Sequence, residues 1–236
     1  MSQLQRIAIA QTQLQESKIL LTPEQLHYLV RVLRLREGDR FIAMDGMGKW
    51  WLAILAGEQA EVLEAMVVET ELPVAITLLV ALPKGNGFDD VVRMSTELGV
   101  VCIAPVTSDR TLLNPSPQKL ERWRRIATEA AEQSERAIVP TILEPVAFST
   151  ALSLFATYQK YICEGRGNYP HLKKCLEDQG KMLIVIAIGP EGGWTEAEVE
   201  KAVLNGFQAV SLGRRILRAV TAPIVALSLI SAICEV

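Results

Sequence analysis

The rhythm of apolar and polar positions changes once along the chain, near residue 72. Before that point the apolar stretches are short and interleaved with polar residues: Arg6 to Ala10, Arg40 to Met44, Trp50 to Leu55 and Glu61 to Glu69. Runs of this kind, with a turn at Asp45-Gly46-Met47-Gly48, predict the short strands of a small β-barrel. One helix interrupts them. Thr22 is placed to cap it and Pro23 to occupy its first position, while Leu26, Leu29, Val30 and Leu33 recur at helical spacing until about Leu35, before Glu37-Gly38-Asp39.

After Leu72-Pro73 the apolar runs lengthen and lose their polar alternation, as strands covered on both faces of a sheet do. Val74 to Leu82 reads as such a strand. It leads through the turn Pro83-Lys84-Gly85-Asn86-Gly87 into a helix from about Asp89 to Leu98, closed by Gly99. Further strands are expected near Val100 to Val106, Tyr158 to Cys163 and Leu183 to Ile188, and an apolar helix from about Ala222 to Ile233 ends the chain. A long helix from about Ser116 to Arg136 turns Leu120, Trp123, Ile126, Ala127 and Ala130 to one side. Its other side mixes Lys119, Arg122, Arg124, Arg125 and Arg136 with Glu121, Glu129, Glu132 and Glu135, the composition of a solvated face. Strands alternating with helices predict an α/β domain with a mostly parallel sheet. The expected division is a β-barrel over residues 1–72 followed by the α/β domain over 73–236.

Two turns in the second part carry the candidate chemistry. Ile184 to Ile188 runs straight into Gly189-Pro190-Glu191-Gly192-Gly193-Trp194, and Thr195-Glu196-Ala197-Glu198 then has the form of a capping box that opens the next helix, which stops at Asn205-Gly206. A glycine-rich turn between the carboxyl end of a strand and the amino end of a helix leaves backbone N–H groups free for a carboxylate, a hydroxyl or a carbonyl oxygen. The same glycines also suit a tight turn with no ligand at all. The second turn, Leu212-Gly213-Arg214-Arg215-Ile216-Leu217-Arg218, has no acidic residue between Ser211 and Thr221. Its arginines suit a phosphate or RNA, or carboxylates from elsewhere in the fold. Arg110 follows the Val100 to Val106 strand and so falls near a carboxyl end as well.

Composition narrows the field. With 50% hydrophobic residues in 236, the chain can bury a sizeable core. A formal charge of −3 argues against a globally basic nucleic-acid binder but leaves a local basic surface open. Cys102, Cys163, Cys175 and Cys234 form no CxxC pair, and His27 and His171 are the only histidines, so reduced thiols are expected and no metal site. No apolar run reaches the roughly 18 residues of a membrane span, and Met1 to Ala10 lacks the apolar core of a signal peptide; a cytoplasmic protein is expected. Gly85-Asn86-Gly87 lacks the third glycine of a dinucleotide fingerprint, and no P-loop occurs.

Taken together, Ile188-Gly189-Pro190-Glu191-Gly192-Gly193 and Leu212-Gly213-Arg214-Arg215-Ile216-Leu217-Arg218 resemble the ribosomal RNA small-subunit methyltransferase E family, within the SPOUT superfamily. The likeness extends through His27 to Arg34, Pro83-Lys84-Gly85, Thr96 to Val100, Ser108-Asp109-Arg110 and Glu129 to Ser134, in the same order. It implies a PUA-like β-barrel and a SPOUT-type parallel sheet with a carboxyl-terminal trefoil knot. It further implies a cytoplasmic homodimer that uses S-adenosylmethionine to methylate N3 of one uridine of 16S rRNA, near the decoding centre of the small ribosomal subunit. A non-catalytic RNA-binding or assembly factor of the same fold, or a SPOUT enzyme with another RNA target, is the competing class.

By that resemblance Ile188, Gly189, Pro190, Glu191, Gly192 and Gly193 hold the cofactor together with Leu212, Gly213, Ile216, Leu217 and Arg218. Arg218, Thr221 and Glu191 are the candidate catalytic residues: Arg218 to stabilise charge on the uracil oxygens, Thr221 to orient it, Glu191 as a possible base. Arg31, Arg34, Arg36, Lys84, Arg110, Arg136, Arg214 and Arg215 are the expected RNA contacts. The chain departs from the family pattern at Arg214, where Pro is usual, and at Ala219-Val220-Thr221-Ala222, where Thr-Glu-Thr-Ala is usual. Met94 and Gly87 each stand where the family has Lys.

Overall fold

The structure is a computed structural model that describes residues 4–111, 115–155, 157–176 and 183–235. The chain divides into two compact units: Met1–Glu71 with Ala131–Val139, and Leu72–Ala130 with Pro140–Val236. A single cut at residue 72 therefore misses one feature. The chain returns to the first unit for the short segment Ala131–Val139 before completing the second.

In the first unit β1 (Arg6–Ala8), β2 (Leu14–Gln15), β3 (Lys18–Leu20), β4 (Arg40–Met44), β5 (Trp50–Ala56) and β6 (Gln59–Met66) form one sheet in the order β1-β4-β5-β6-β3-β2. Only the β1–β4 pair is parallel. The hairpin β5–β6 closes through Gly57-Glu58, where Gly57 takes φ +63°, the left-handed backbone that a two-residue hairpin turn requires. Ile7, Ile19, Leu29, Phe41 and Ala53 make its core. Helix α1 (Pro23–His27) starts as expected, with Thr22 Oγ1 accepting the Gln25 N–H at 3.2 Å and Gln25 Oε1 accepting the Thr22 N–H at 2.9 Å. It does not continue regularly to Leu35. A wider π-helical turn over Tyr28–Val32 follows, in which Leu33 N–H bonds Tyr28 O at 2.9 Å, and Arg34 then reverses the chain at φ +59°. The wider turn leaves Leu29 fully buried while Val30 and Val32 stay exposed.

The returning segment packs Ala131 and Ala137 against Ile42, Met44 and Trp50. A Cβ on Gly46 would stand 2.8 Å from Val139 Cγ2, so that position excludes a side chain. Arg136 lies in this segment, only 3% exposed, with Nε 3.2 Å from Glu71 Oε2. The second oxygen of Glu71 accepts the Ile138 N–H at 3.0 Å.

The second unit is a parallel sheet of β7 (Ala75–Ala81), β8 (Cys102–Thr107), β9 (Thr141–Ile142), β10 (Val146–Ala147), β11 (Gln159–Cys163), β12 (Leu183–Ile188) and β13 (Phe207–Val210). The order is β10-β8-β7-β12-β11-β13, with β9 also on β8, and every pairing is parallel. The helices are α2 (Gly87–Glu97), α3 (Pro117–Gln133), α4 (Phe148–Ala151), α5 (Leu172–Leu176), α6 (Glu196–Leu204) and α7 (Ala222–Cys234). The apolar runs of β7 and β12 sit side by side with nearly every residue buried, which is why they carry no alternation. Leu120, Trp123, Ile126, Ala127 and Ala130 of α3 are buried, as their spacing predicts. Because every strand runs the same way, the turns after β7, β8, β11, β12 and β13 all emerge at one edge of the sheet, where ligands of open α/β sheets bind.

Candidate active site

At that edge the turns after β11, β12 and β13 enclose a cavity of about 630 Å³, within the few-hundred to roughly 1,000 Å³ range of small-molecule sites. Both glycine-rich turns line it. From the first come Ile188, Gly189, Pro190, Glu191 and Gly193, and from the second Leu212, Gly213, Arg215, Ile216 and Leu217. Gly193 at φ +71° and Gly213 at φ +123° hold backbone that side-chain-bearing residues rarely adopt, and no atom lies within 4 Å of where their Cβ would be. Both glycines are thus explained by backbone conformation. Gly189 is explained by crowding, since its Cβ would meet the Trp194 indole at 3.2 Å.

Gly192 is placed differently from expectation: it does not line the cavity. A Cβ there would stand 3.1 Å from Cδ of Arg110, whose guanidinium donates to Gly192 O at 2.6 Å and to Trp194 O at 3.3 Å. Arg110, expected to touch RNA, therefore reaches back over the turn after β12 and holds its carbonyls while lining the cavity. Glu191 is tied in a similar way. Its Oε1 accepts the Lys84 N–H at 2.9 Å, which links the turn after β12 to the turn after β7. Lys84 itself is exposed.

The helix that follows is fixed by the capping box read from the sequence. Thr195 Oγ1 accepts the Glu198 N–H at 3.2 Å and Glu198 Oε2 accepts the Thr195 N–H at 2.8 Å. Glu198 does more than the motif asks: its Oε1 also accepts the Asp109 N–H at 2.9 Å, binding the turn after β8 to the start of α6.

A third wall of the cavity escaped the sequence reading. It is the end of β11 at Cys163 and the loop after it, including Glu164, Gly165, Arg166, Gly167 and Tyr169. Glu164 N–H bonds Val210 O at 2.9 Å, Ser211 N–H bonds Pro170 O at 2.8 Å and Leu172 N–H bonds Ser211 O at 2.9 Å, so this loop is zipped to the entry of the second glycine turn. Across the cavity Ile216 Cδ1 lies 3.1 Å from where a Gly165 Cβ would be, and Ile216 is 67% exposed. Gly165-Arg166-Gly167, one residue beyond a predicted strand, was the available signal. Burial pushes the Cys163 thiol up to about 12, aided by the nearby Glu164 charge, so it stands in the wall as a neutral group.

Arg214, Arg215 and Arg218 are exposed and make no ion pair among the described residues. No carboxylate from elsewhere in the described fold meets them. Arg218 does not line the cavity; its carbonyl accepts the Thr221 N–H at 2.9 Å and the Ala222 N–H at 3.0 Å at the start of α7. Thr221 is exposed and its side chain makes no capping bond. Arg31, Arg34 and Arg36 are exposed on the first unit. Arg136 is the clear correction, because a guanidinium that is 3% exposed and bonded to Glu71 has no surface to offer RNA. No group of three or more metal-ligating side chains stands among the described residues, and none of their helices is long and apolar enough to cross a membrane.

Comparison with known proteins fits this geometry. Residues 70–231 match the RNA methyltransferase domain model and residues 21–63 the RNA methyltransferase PUA domain model. The ribosomal RNA small subunit methyltransferase E of Synechocystis is 48% identical, over 98% of this chain and 78% of the relative. The chain belongs to that methyltransferase E family. The Bacillus subtilis member is 31% identical over 95% of this chain and 94% of its own length. The crystal structure of the family member from Neisseria gonorrhoeae bound to S-adenosyl methionine superposes with a TM-score of 0.87 at 33% identity, covering 98% of each chain. The parallel α/β sheet with a small amino-terminal PUA-like unit is the fold of this family.

Proposed function

We propose that the protein is an S-adenosylmethionine-dependent methyltransferase that modifies N3 of one uridine of 16S rRNA, near the decoding centre of the small ribosomal subunit. The observation that carries this reading is the cavity at the carboxyl edge of the sheet, built by the two glycine turns whose sequences mark the family. Its donor set fits an amino-acid-bearing nucleoside. Gly189, Gly193 and Gly213 bring bare main chain to the wall for an adenine and a ribose, and carboxylates and guanidinia stand in the same wall for an ammonium and a carboxylate. In this reading Ile188–Gly193 and Leu212–Leu217 hold the cofactor, although Gly192 contributes only through Arg110.

When bound, the cofactor supplies an electrophilic methyl group. The chain must orient the uracil with N3 in line for displacement, which is the larger part of the work. Neutral uridine N3 carries a proton, so the site must also stabilise the negative charge that spreads onto O2 and O4 as that proton leaves. Arg218 is proposed for this role, being exposed, always charged and without an acidic partner among the described residues. Thr221 contributes through its backbone N–H to the Arg218 carbonyl. Glu191 is proposed as a brace for the turn rather than as the base, since one carboxylate oxygen already accepts the Lys84 N–H. Uridine N3 must be unstacked to react, and exposed arginines on each unit by itself, Arg31, Arg34 and Arg36 on the first and Arg214 and Arg215 on the second, suit a structured RNA substrate. A cytoplasmic homodimer with a carboxyl-terminal trefoil knot completes the proposal.

Primer extension on 16S rRNA tests it. A methyl on N3 blocks the Watson–Crick edge and stops reverse transcriptase, so cells lacking the protein should lose one stop that returns on complementation. An unchanged pattern of stops rules out the uridine-N3 assignment.

A further inference from the structure

The segment that closes the cavity has two sides. Ala219 and Ala222 line the cavity, whereas Val220 between them does not. Its side chain is seated instead on Gly87, the first residue of α2: a Cβ at Gly87 would stand 2.8 Å from Val220 Cγ1 and 3.6 Å from Pro83 Cγ. Nothing in the backbone asks for glycine here. Gly87 is absent from the positive-φ glycines, and at the start of a helix alanine would be the better residue. The empty position is explained by the valine that fills it. The same turn reaches the other cavity loop as well, through the bond from Lys84 N–H to Glu191 Oε1.

We propose that the turn Pro83–Gly87 is an outside brace for the cavity, with Val220 on Gly87 as the positioning contact that sets the segment Leu217–Ala222. The turn touches no part of the cavity wall from within, yet it is fastened to two of the loops that form it. Val220 is two residues from Arg218, so a shift of the valine displaces the arginine as well as the alanines in the wall. The inference rests on the reading of this cavity as the cofactor site.

Calorimetric binding of S-adenosylhomocysteine to the whole protein tests it, alongside thermal melting. Gly87→Ala should lower affinity about tenfold as the new methyl displaces Val220, and lower the melting midpoint only modestly, because the gain in helix propensity offsets part of the clash. Val220→Ala, which empties the contact without adding bulk, should also weaken binding. The pair Gly87→Ala with Val220→Ala should recover affinity to within about threefold of the unaltered protein, because the added methyl occupies the space that the valine vacates. A role confined to fold stability predicts no such rescue of binding. Unaltered affinity in Gly87→Ala, or losses in the pair that simply add, would overturn the brace and leave the cofactor reading intact. Failure of the unaltered protein to bind would overturn both.

Discussion

Arg110 illustrates how a residue type can be legible while its role is not. The sequence places it after a strand, near the edge where ligands bind, and an arginine there suits RNA. Its guanidinium is instead bonded to the carbonyls of Gly192 and Trp194. Charge-assisted bonds of this kind contribute about 1.5–3 kcal/mol each. Arg110→Ala is therefore expected to weaken calorimetric binding of S-adenosylhomocysteine about tenfold or more, and Arg110→Lys, whose ammonium stops about one bond short of the nitrogen that reaches both carbonyls, to rescue it only in part. Equal affinity in all three proteins would show that the turn holds itself. Arg218 predicts the opposite division. If it stabilises charge that exists only during transfer, Arg218→Ala should cut single-turnover methylation of small subunits about a hundredfold while changing cofactor affinity little. Parallel losses in rate and affinity would make it a binding residue. Gly87 and Val220 belong at this scale too. They lie 133 positions apart in the chain, and in space the two meet.

Among elements, α6 was the most legible. Its capping box could be read because the chemistry lies within four consecutive residues, and both bonds form. What a local reading could not supply was the partner from the turn after β8, the Asp109 N–H on the other oxygen of Glu198. Glu198 is 8% exposed, and its removal leaves two part-buried N–H donors, of Asp109 and Thr195, without their acceptor. Glu198→Ala should therefore cost about 2–4 kcal/mol in urea unfolding, more than the roughly 1 kcal/mol of an ordinary lost cap, and Thr195→Ala should cost about the latter. Equal costs for the two would mean that the tie to the turn after β8 contributes nothing. The strands β2, β3, β9, β10 and β13 were not anticipated. Most span two or three residues, too few to set up a period, and β13 follows Asn205-Gly206 so closely that its four residues merge with the turn.

The charge state of the whole molecule gives a prediction with a definite sign. Burial raises the Cys102 thiol to about 11 and the Cys163 thiol to about 12, from an ordinary 9.0. A pKa raised on folding means that the folded state favours the protonated form. The stability this contributes is complete below pH 9.0 and is lost as the pH rises through about 11 to 12. Urea midpoints should therefore fall between about pH 9 and 11, and fall less steeply when both thiols are replaced by alanine. Identical slopes in the two proteins would contradict the assignment.

The sequence by itself determined the α/β class, the parallel sheet, the start of each capped helix and the two glycine turns, because those follow from periods and dihedral demands within a few residues. Tertiary structure alone decided the rest. The all-parallel sheet brings distant turns to one edge, adds the Glu164–Tyr169 wall to the cavity, and turns Arg110 and Glu191 into ties between loops. It buries Arg136 on Glu71, 65 residues away, within a segment whose charges look like any solvated helix end. Those outcomes depend on which residues meet after the chain has returned on itself. No local pattern of polarity encodes that choice.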